Sequence, residues 1–135
     1  MIQFFKLFVP TYVFCFCVDM LWLGFIAKGL YDKEIGTLIR KSGDSMAPNW
    51  PAALLVYVAI VSGVIIFVLP KLDTQYITAL GYGALFGLVL YGTYDFTNYA
   101  VLANWSLKIT VIDLFWGAFL CSMTTVFAMF IQNKL

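Results

Sequence analysis

QYITALGYGALFGLVLYGTYDFTNYAVL, residues 75–102, decides how this chain folds. Its first half is an apolar run with the character of a membrane span. Its second half, Tyr91-Gly92-Thr93-Tyr94-Asp95-Phe96-Thr97-Asn98-Tyr99, continues the same helix, yet holds a carboxylate, an amide, two threonines and three tyrosines. No Lys, Arg or His stands nearby to neutralise Asp95. Lipid offers such groups no hydrogen bonds, so the protein must supply them. The stretch therefore reads as a transmembrane helix whose polar face turns into a bundle.

The whole composition agrees. Of 135 residues, 63% are hydrophobic and 11% charged, whereas a soluble domain is roughly half apolar and about a quarter charged. So small a globule cannot bury the excess, and the lipid bilayer must cover it. A net charge of +1 gives no basic surface, and no nucleic-acid partner is expected. The chain has no histidine. That excludes the His clusters of membrane di-iron enzymes, His-ligated haem and His-based zinc sites. No lysine lies mid-span for a retinal Schiff base, and there is no phosphate-binding loop or nucleophile elbow. No cofactor is expected. No metal site is expected either, because Asp and Asn oxygens are present without a loop of clustered ligands. Cys15, Cys17 and Cys121 fall inside apolar runs and read as small apolar fillers.

Working outward, residues 4–27 form a first apolar run. It is too long for a signal-peptide core and contains Asp19. As a helix it reaches about 36 Å, enough for a tilted span with Pro10 near its start. Residues 28–50 are the one substantial polar stretch. Tyr31, Ile35, Leu38 and Ile39 recur there at helical spacing, which predicts a short amphipathic helix over 31–41 in the membrane interface. Ser42-Gly43-Asp44-Ser45 ends it as a turn. A second span is expected over 51–69, started by Pro51 and stopped by Pro70. Asp73 or Thr74 is the expected N-cap of the third span, residues 75–102. Ser106 is the expected N-cap of the fourth, residues 107–131. Gly83 and Gly87 form a GxxxG pair suited to helix packing. The expected fold is all-α: a single transmembrane domain over 1–135, an antiparallel four-helix bundle with one interfacial helix between spans 1 and 2.

Both termini then lie on one side and loop 28–50 on the other. The loop side carries Lys28, Lys33, Arg40, Lys41 and Lys108, against Lys6, Lys71 and Lys134 at the terminal side. The positive-inside rule therefore favours a cytoplasmic loop. Counting helical rise from the span ends places Asp19, Asp95 and Asp113 in the half of the membrane facing the loop, with Tyr57 at similar depth. The other half is almost wholly apolar. On the third span Gly87, Tyr91, Asp95 and Asn98 share one face, flanked by Tyr94 and Thr97. Asp19 begins Asp-Met-Leu-Trp and Asp113 begins Asp-Leu-Phe-Trp, so Trp22 and Trp116 stand one turn from an acid. Asn49-Trp50 and Asn104-Trp105 form a second echo, but the two echoes imply different repeat alignments.

The Asp-x-x-Trp of the first span, the run Tyr91–Tyr99, and Trp-Ser-x-x-x-Thr-x-x-Asp-x-x-Trp-Gly over residues 105–117 together resemble a family of small bacterial membrane proteins. It is named domain of unknown function 2177. The resemblance covers nearly the whole chain. It implies a four-helix protein of the bacterial inner membrane and no activity. Its motif singles out Asp19, Trp22, Tyr94, Asp95, Thr97, Asn98, Asp113 and Trp116.

Three readings of the polar half remain open. The acids could be protonated and simply tie helices together in a structural or accessory membrane subunit. They could form a pocket for a proton, a cation or a small cationic molecule, with aromatic walls from Trp22, Tyr91, Tyr94 and Trp116. Four spans are few for a transport path, so transport would call for a homodimer. The third reading is an enzyme doing acid/base chemistry on an amphiphilic ligand such as a lipid or isoprenoid, with Asp95 as base and Asp113 or Asp19 as acid.

Overall fold

The computed structural model describes the whole chain, Met1–Leu135. Four helices are long and apolar enough to cross a membrane. They are α1 (Ile2–Ile26), α3 (Trp50–Lys71), α4 (Tyr76–Val101) and α5 (Leu107–Gln132). Between the first two lie a short helix, α2 (Lys28–Ile35), and a two-stranded antiparallel hairpin, β1 (Lys41–Ser42) and β2 (Ser45–Met46). The fold is an antiparallel four-helix membrane bundle.

The helix starts follow local chemistry. The Asn49 side chain accepts from Ala52 N at 3.3 Å, and Pro51 sits in the first turn of α3. The Ser106 hydroxyl accepts from Ile109 N at 3.3 Å and caps α5. The cap of α4 falls on Gln75, not on Asp73 or Thr74. Asp73 instead accepts the Gln75 amide at 2.8 Å, a local turn that uses up its carboxylate and holds its pKa down. Pro70 closes α3 through a 3₁₀ turn, Leu69–Lys71. Two wide π turns interrupt the spans, at Trp22–Ile26 in α1 and Val64–Val68 in α3.

α2 is shorter than its apolar stripe predicts. It ends at Ile35, and residues 36–38 form a turn beginning at Gly36. Ser42 to Ser45 then close a hairpin with Gly43 at φ 63°, the backbone state that a Gly-first two-residue loop uses. Tyr31 and Ile35 pack with Ala27 and with Ile109 of α5, so this face of the stripe covers protein.

α4 and α5 pack along most of their length. Gly83 faces the backbone of Cys121 and Ser122, Gly87 faces Gly117, and the Tyr91 ring lies on Gly117. Ser122 Oγ donates to Leu80 O at 2.9 Å across the same seam. The GxxxG face is thus occupied within the chain. α1 packs against α5 and α3. α3 approaches α4 mainly through the Val64–Val68 turn near the terminal side. The apolar core has a distinct character at each end. Leu7, Val64, Leu69, Ala79, Ala128 and Met129 fill the terminal side, while Cys15, Tyr57, Ile60, Val61, Leu120 and Cys121 fill the middle. Cys15 and Cys121 are buried, Cys17 is exposed, and all three are free thiols.

Candidate functional site

The three intramembrane acids gather at the loop end of the bundle. Each is nearly or completely buried: Asp19 at 5% exposure, Asp113 at 5% and Asp95 at 0%. Their surroundings differ, and that difference sorts them.

Asp19, on α1, is fully served. Tyr57 of α3 donates to Oδ2 at 2.7 Å, and the Trp116 indole of α5 donates to Oδ1 at 2.7 Å. One carboxyl group thereby ties three spans. Asp113, on α5, accepts a hydrogen bond from the Tyr31 hydroxyl of α2. Tyr31 in turn accepts from the Trp22 indole at 3.3 Å. Burial, and then the neighbouring Asp113, keep the Tyr31 phenol protonated by pushing its pKa up. Trp22 and Trp116 stack on each other with centroids 4.4 Å apart and planes 7° from parallel. The two Asp-x-x-Trp motifs therefore interlock. Trp116 serves the acid of the opposite motif directly, and Trp22 serves Asp113 through Tyr31.

Asp95, on α4, has no such provision. Neither of its carboxyl oxygens meets a regular hydrogen-bond donor. Its carboxyl group stands beside that of Asp113, close enough for the two to interact directly. Like charges at such a distance cannot both persist in a medium of low dielectric constant. The pair needs a proton or a cation between or beside its members.

A cavity of about 250 Å³ lies at this end of the bundle. Asp19, Tyr91, Tyr94, Asp113 and Trp116 line it from the spans, and Tyr31, Ile35, Ile39 and Met46 cover it from the α2–hairpin segment. This segment is pinned to the start of α5. Ser106 Oγ donates to Glu34 Oε2 at 2.8 Å, and Lys108 Nζ lies 3.6 Å from Glu34. The Ser106 hydroxyl, aided by Lys108, holds the Glu34 carboxyl below its ordinary pKa.

Residues 4–130 match the family model described as a predicted membrane protein, DUF2177. The chain belongs to this family. No curated protein and no solved structure matches it. In this DUF2177 protein the residues singled out from sequence divide by position. Asp19, Tyr91, Tyr94, Asp113 and Trp116 line the cavity. Tyr57 and Trp22 hold its walls through Asp19 and Tyr31. Asp95 is buried beside Asp113, and Asn98 lies half-buried within reach of the Tyr94 hydroxyl. Thr97 is exposed on the outer face of α4 and does not line the cavity. Gly83 and Gly87 set the α4–α5 spacing. Tyr31, Glu34, Ser106 and Trp105 join the site or its cover without having been singled out as site residues. Tyr31 was visible only as one member of an amphipathic stripe, a pattern that does not name its partner. No group of three or more His, Cys, Asp or Glu side chains is arranged to hold a metal ion.

Proposed function

We propose that this multi-pass membrane protein of the bacterial cytoplasmic membrane binds a proton or a small organic cation in its acidic, aromatic-lined intramembrane pocket. The single observation that carries the reading is Asp95, completely buried with no neutral donor to either oxygen and only the carboxyl group of Asp113 beside it. A purely structural acid resembles Asp19, whose two oxygens each have a donor. Asp95 does not fit that role, because a buried acid whose one polar neighbour is another acid costs stability and returns nothing to packing. The aromatic rings around the cavity suit a cation that carries its charge on alkylated nitrogen. Transport of such an ion would proceed through a homodimer, with loop 28–50 on the cytoplasmic side and the chain acting as one transmembrane unit. An enzymatic reading draws on the Tyr57–Asp19 and Tyr31–Asp113 pairs, each an acid with a hydroxyl donor. A changed lipid profile in cells lacking the protein would favour it.

The test is binding of tetramethylammonium to purified protein, followed by the fluorescence of the tryptophans between pH 5 and 8. Saturable binding that strengthens as pH rises is expected, since cation and proton compete for the same carboxyl pair. Asp95→Asn should keep its helical circular dichroism and lose binding. No saturable binding at any pH, or unchanged binding in Asp95→Asn, would overturn the organic cation, and a carboxyl infrared band that does not change over the same pH range would overturn the proton.

A further inference from the structure

A second cavity, of about 290 Å³, opens between α3 and α4. Val56, Ala59 and Ile60 line it from one helix, and Leu90, Tyr91 and Tyr94 from the other. It exists because α3 meets α4 mainly near the terminal side and diverges toward the loop side. Its rim faces the surroundings, with Val56 54% and Tyr94 58% exposed. In a membrane those surroundings are hydrocarbon, so the cleft is a lateral opening in the wall of the bundle. Tyr91 and Tyr94 also line the acid cavity. Two side chains thus form the partition between a lipid-facing apolar cleft and a polar chamber containing Asp113 and Asp19.

We infer that the ligand is an amphiphilic cation, its alkyl chain lying in the α3–α4 cleft and its ammonium head crossing the Tyr91–Tyr94 partition to Asp113, the member of the Asp95–Asp113 pair that lines the chamber. The inference rests on the cation-binding reading and adds the tail and the route. Charge complementarity selects the head: the chamber holds acids and no Lys or Arg side chain among its lining residues. Asp113 presents its carboxyl group to the chamber, and Asp95, completely buried beside it, adds a second acid behind that wall. Continuity selects the tail, because the cleft touches the chamber only through two aromatic rings and is otherwise aliphatic. An alkylammonium head passes between tyrosine faces favourably, whereas an anionic head would meet two carboxyl groups. Entry from the bilayer also removes any need to displace the α2–hairpin cover.

The test compares dodecyltrimethylammonium with tetramethylammonium on protein in lipid nanodiscs, with dodecyl affinity expressed against its concentration in the bilayer. That correction matters because any long chain concentrates in lipid without touching protein. After it, the dodecyl compound should bind at least tenfold more tightly than the same compound binds Ala59→Trp, in which an indole fills the cleft. Ala59→Trp should still bind tetramethylammonium, and Asp95→Asn should bind neither. A dodecyltrimethylammonium carrying a terminal diazirine should cross-link Val56, Ile60 or Leu90 well above a neutral dodecanol probe of the same length; this readout does not depend on the variant folding. Equal labelling by the two probes, or dodecyl affinity unaffected by Ala59→Trp, would overturn the cleft while leaving head-group binding intact. Failure of the unaltered protein to bind either cation would instead overturn the cation-binding reading, and this inference with it.

Discussion

Gly87→Ala should separate the two helices that carry Asp95 and Asp113. A methyl group added at Gly87 would overlap the Gly117 carbonyl and lie 2.9 Å from Ala118 N. These are backbone atoms, with no rotamer to change, so relief requires α4 and α5 to move apart. Overpacking costs about 1–3 kcal/mol in well-packed interiors, and a clash against backbone belongs at the upper end. Gly81→Ala provides the control on the same helix, since nothing lies within 4 Å of its added methyl. A change of no more than about 0.5 kcal/mol is expected there. The two alanine variants should therefore differ by about 2 kcal/mol, roughly thirtyfold in the unfolding equilibrium. Reversible unfolding in mixed detergent–dodecyl sulfate micelles, followed by circular dichroism, measures this. Asp95 lies about two turns beyond Gly87, and Asp113 about one turn before Gly117. Gly87→Ala should therefore also weaken tetramethylammonium binding, while Gly81→Ala should not. Equal stability of the two variants would refute the backbone-contact argument.

Trp116→Phe keeps an aromatic ring against Trp22 but removes one of the two donors to Asp19. A loss of about 1–2 kcal/mol is expected in the same unfolding assay, with Tyr57→Phe similar and the pair more than additive, because the double variant leaves a buried acid bare. An additive double variant would argue that the two bonds act independently. The cover over the site should loosen in acid. Ser106 holds Glu34 below its ordinary pKa, so the contact contributes above that ordinary value, about 4.3, and is lost as pH falls through the depressed one. Protection of the α2 amides, measured against their intrinsic exchange rates, should fall below about pH 4, and Glu34→Gln should abolish this dependence; flat protection through that range would contradict it. Cysteine labelling in intact cells tests orientation. Asp44→Cys in the hairpin should be shielded from an impermeant maleimide and Asn133→Cys labelled, and the reverse pattern would invert the proposed topology.

The spans were legible because lipid leaves an apolar stretch of this length only one stable conformation, and because Pro51, Pro70 and Ser106 are strong local signals. The end of α2 was less so. Leu38 and Ile39 continue the helical spacing, but Gly36 starts a turn and the chain enters a hairpin too short to show any alternation of its own. A stripe such as Tyr31 and Ile35 looks the same whether lipid head groups or Ile109 cover it. The partners of the acids were also beyond the sequence. Periodicity along one helix places Asp19 and Trp22 on neighbouring positions, yet which indole meets which carboxyl depends on how α1 and α5 slide past each other. The same limit applies to Thr97 and Asn98. They are adjacent in sequence, but a helical step turns one outward and leaves the other near Tyr94.

The most direct test is the infrared difference spectrum produced when tetramethylammonium is added to the protein. The unaltered protein should show a change in the carboxyl region. That change should vanish in Asp95→Asn and persist in Asp19→Asn, since Asp95 has only the Asp113 carboxyl beside it and Asp19 has a donor on each oxygen. A flat carboxyl region, or an identical difference spectrum in Asp95→Asn, would contradict the claim that the Asp95–Asp113 pair receives the cation.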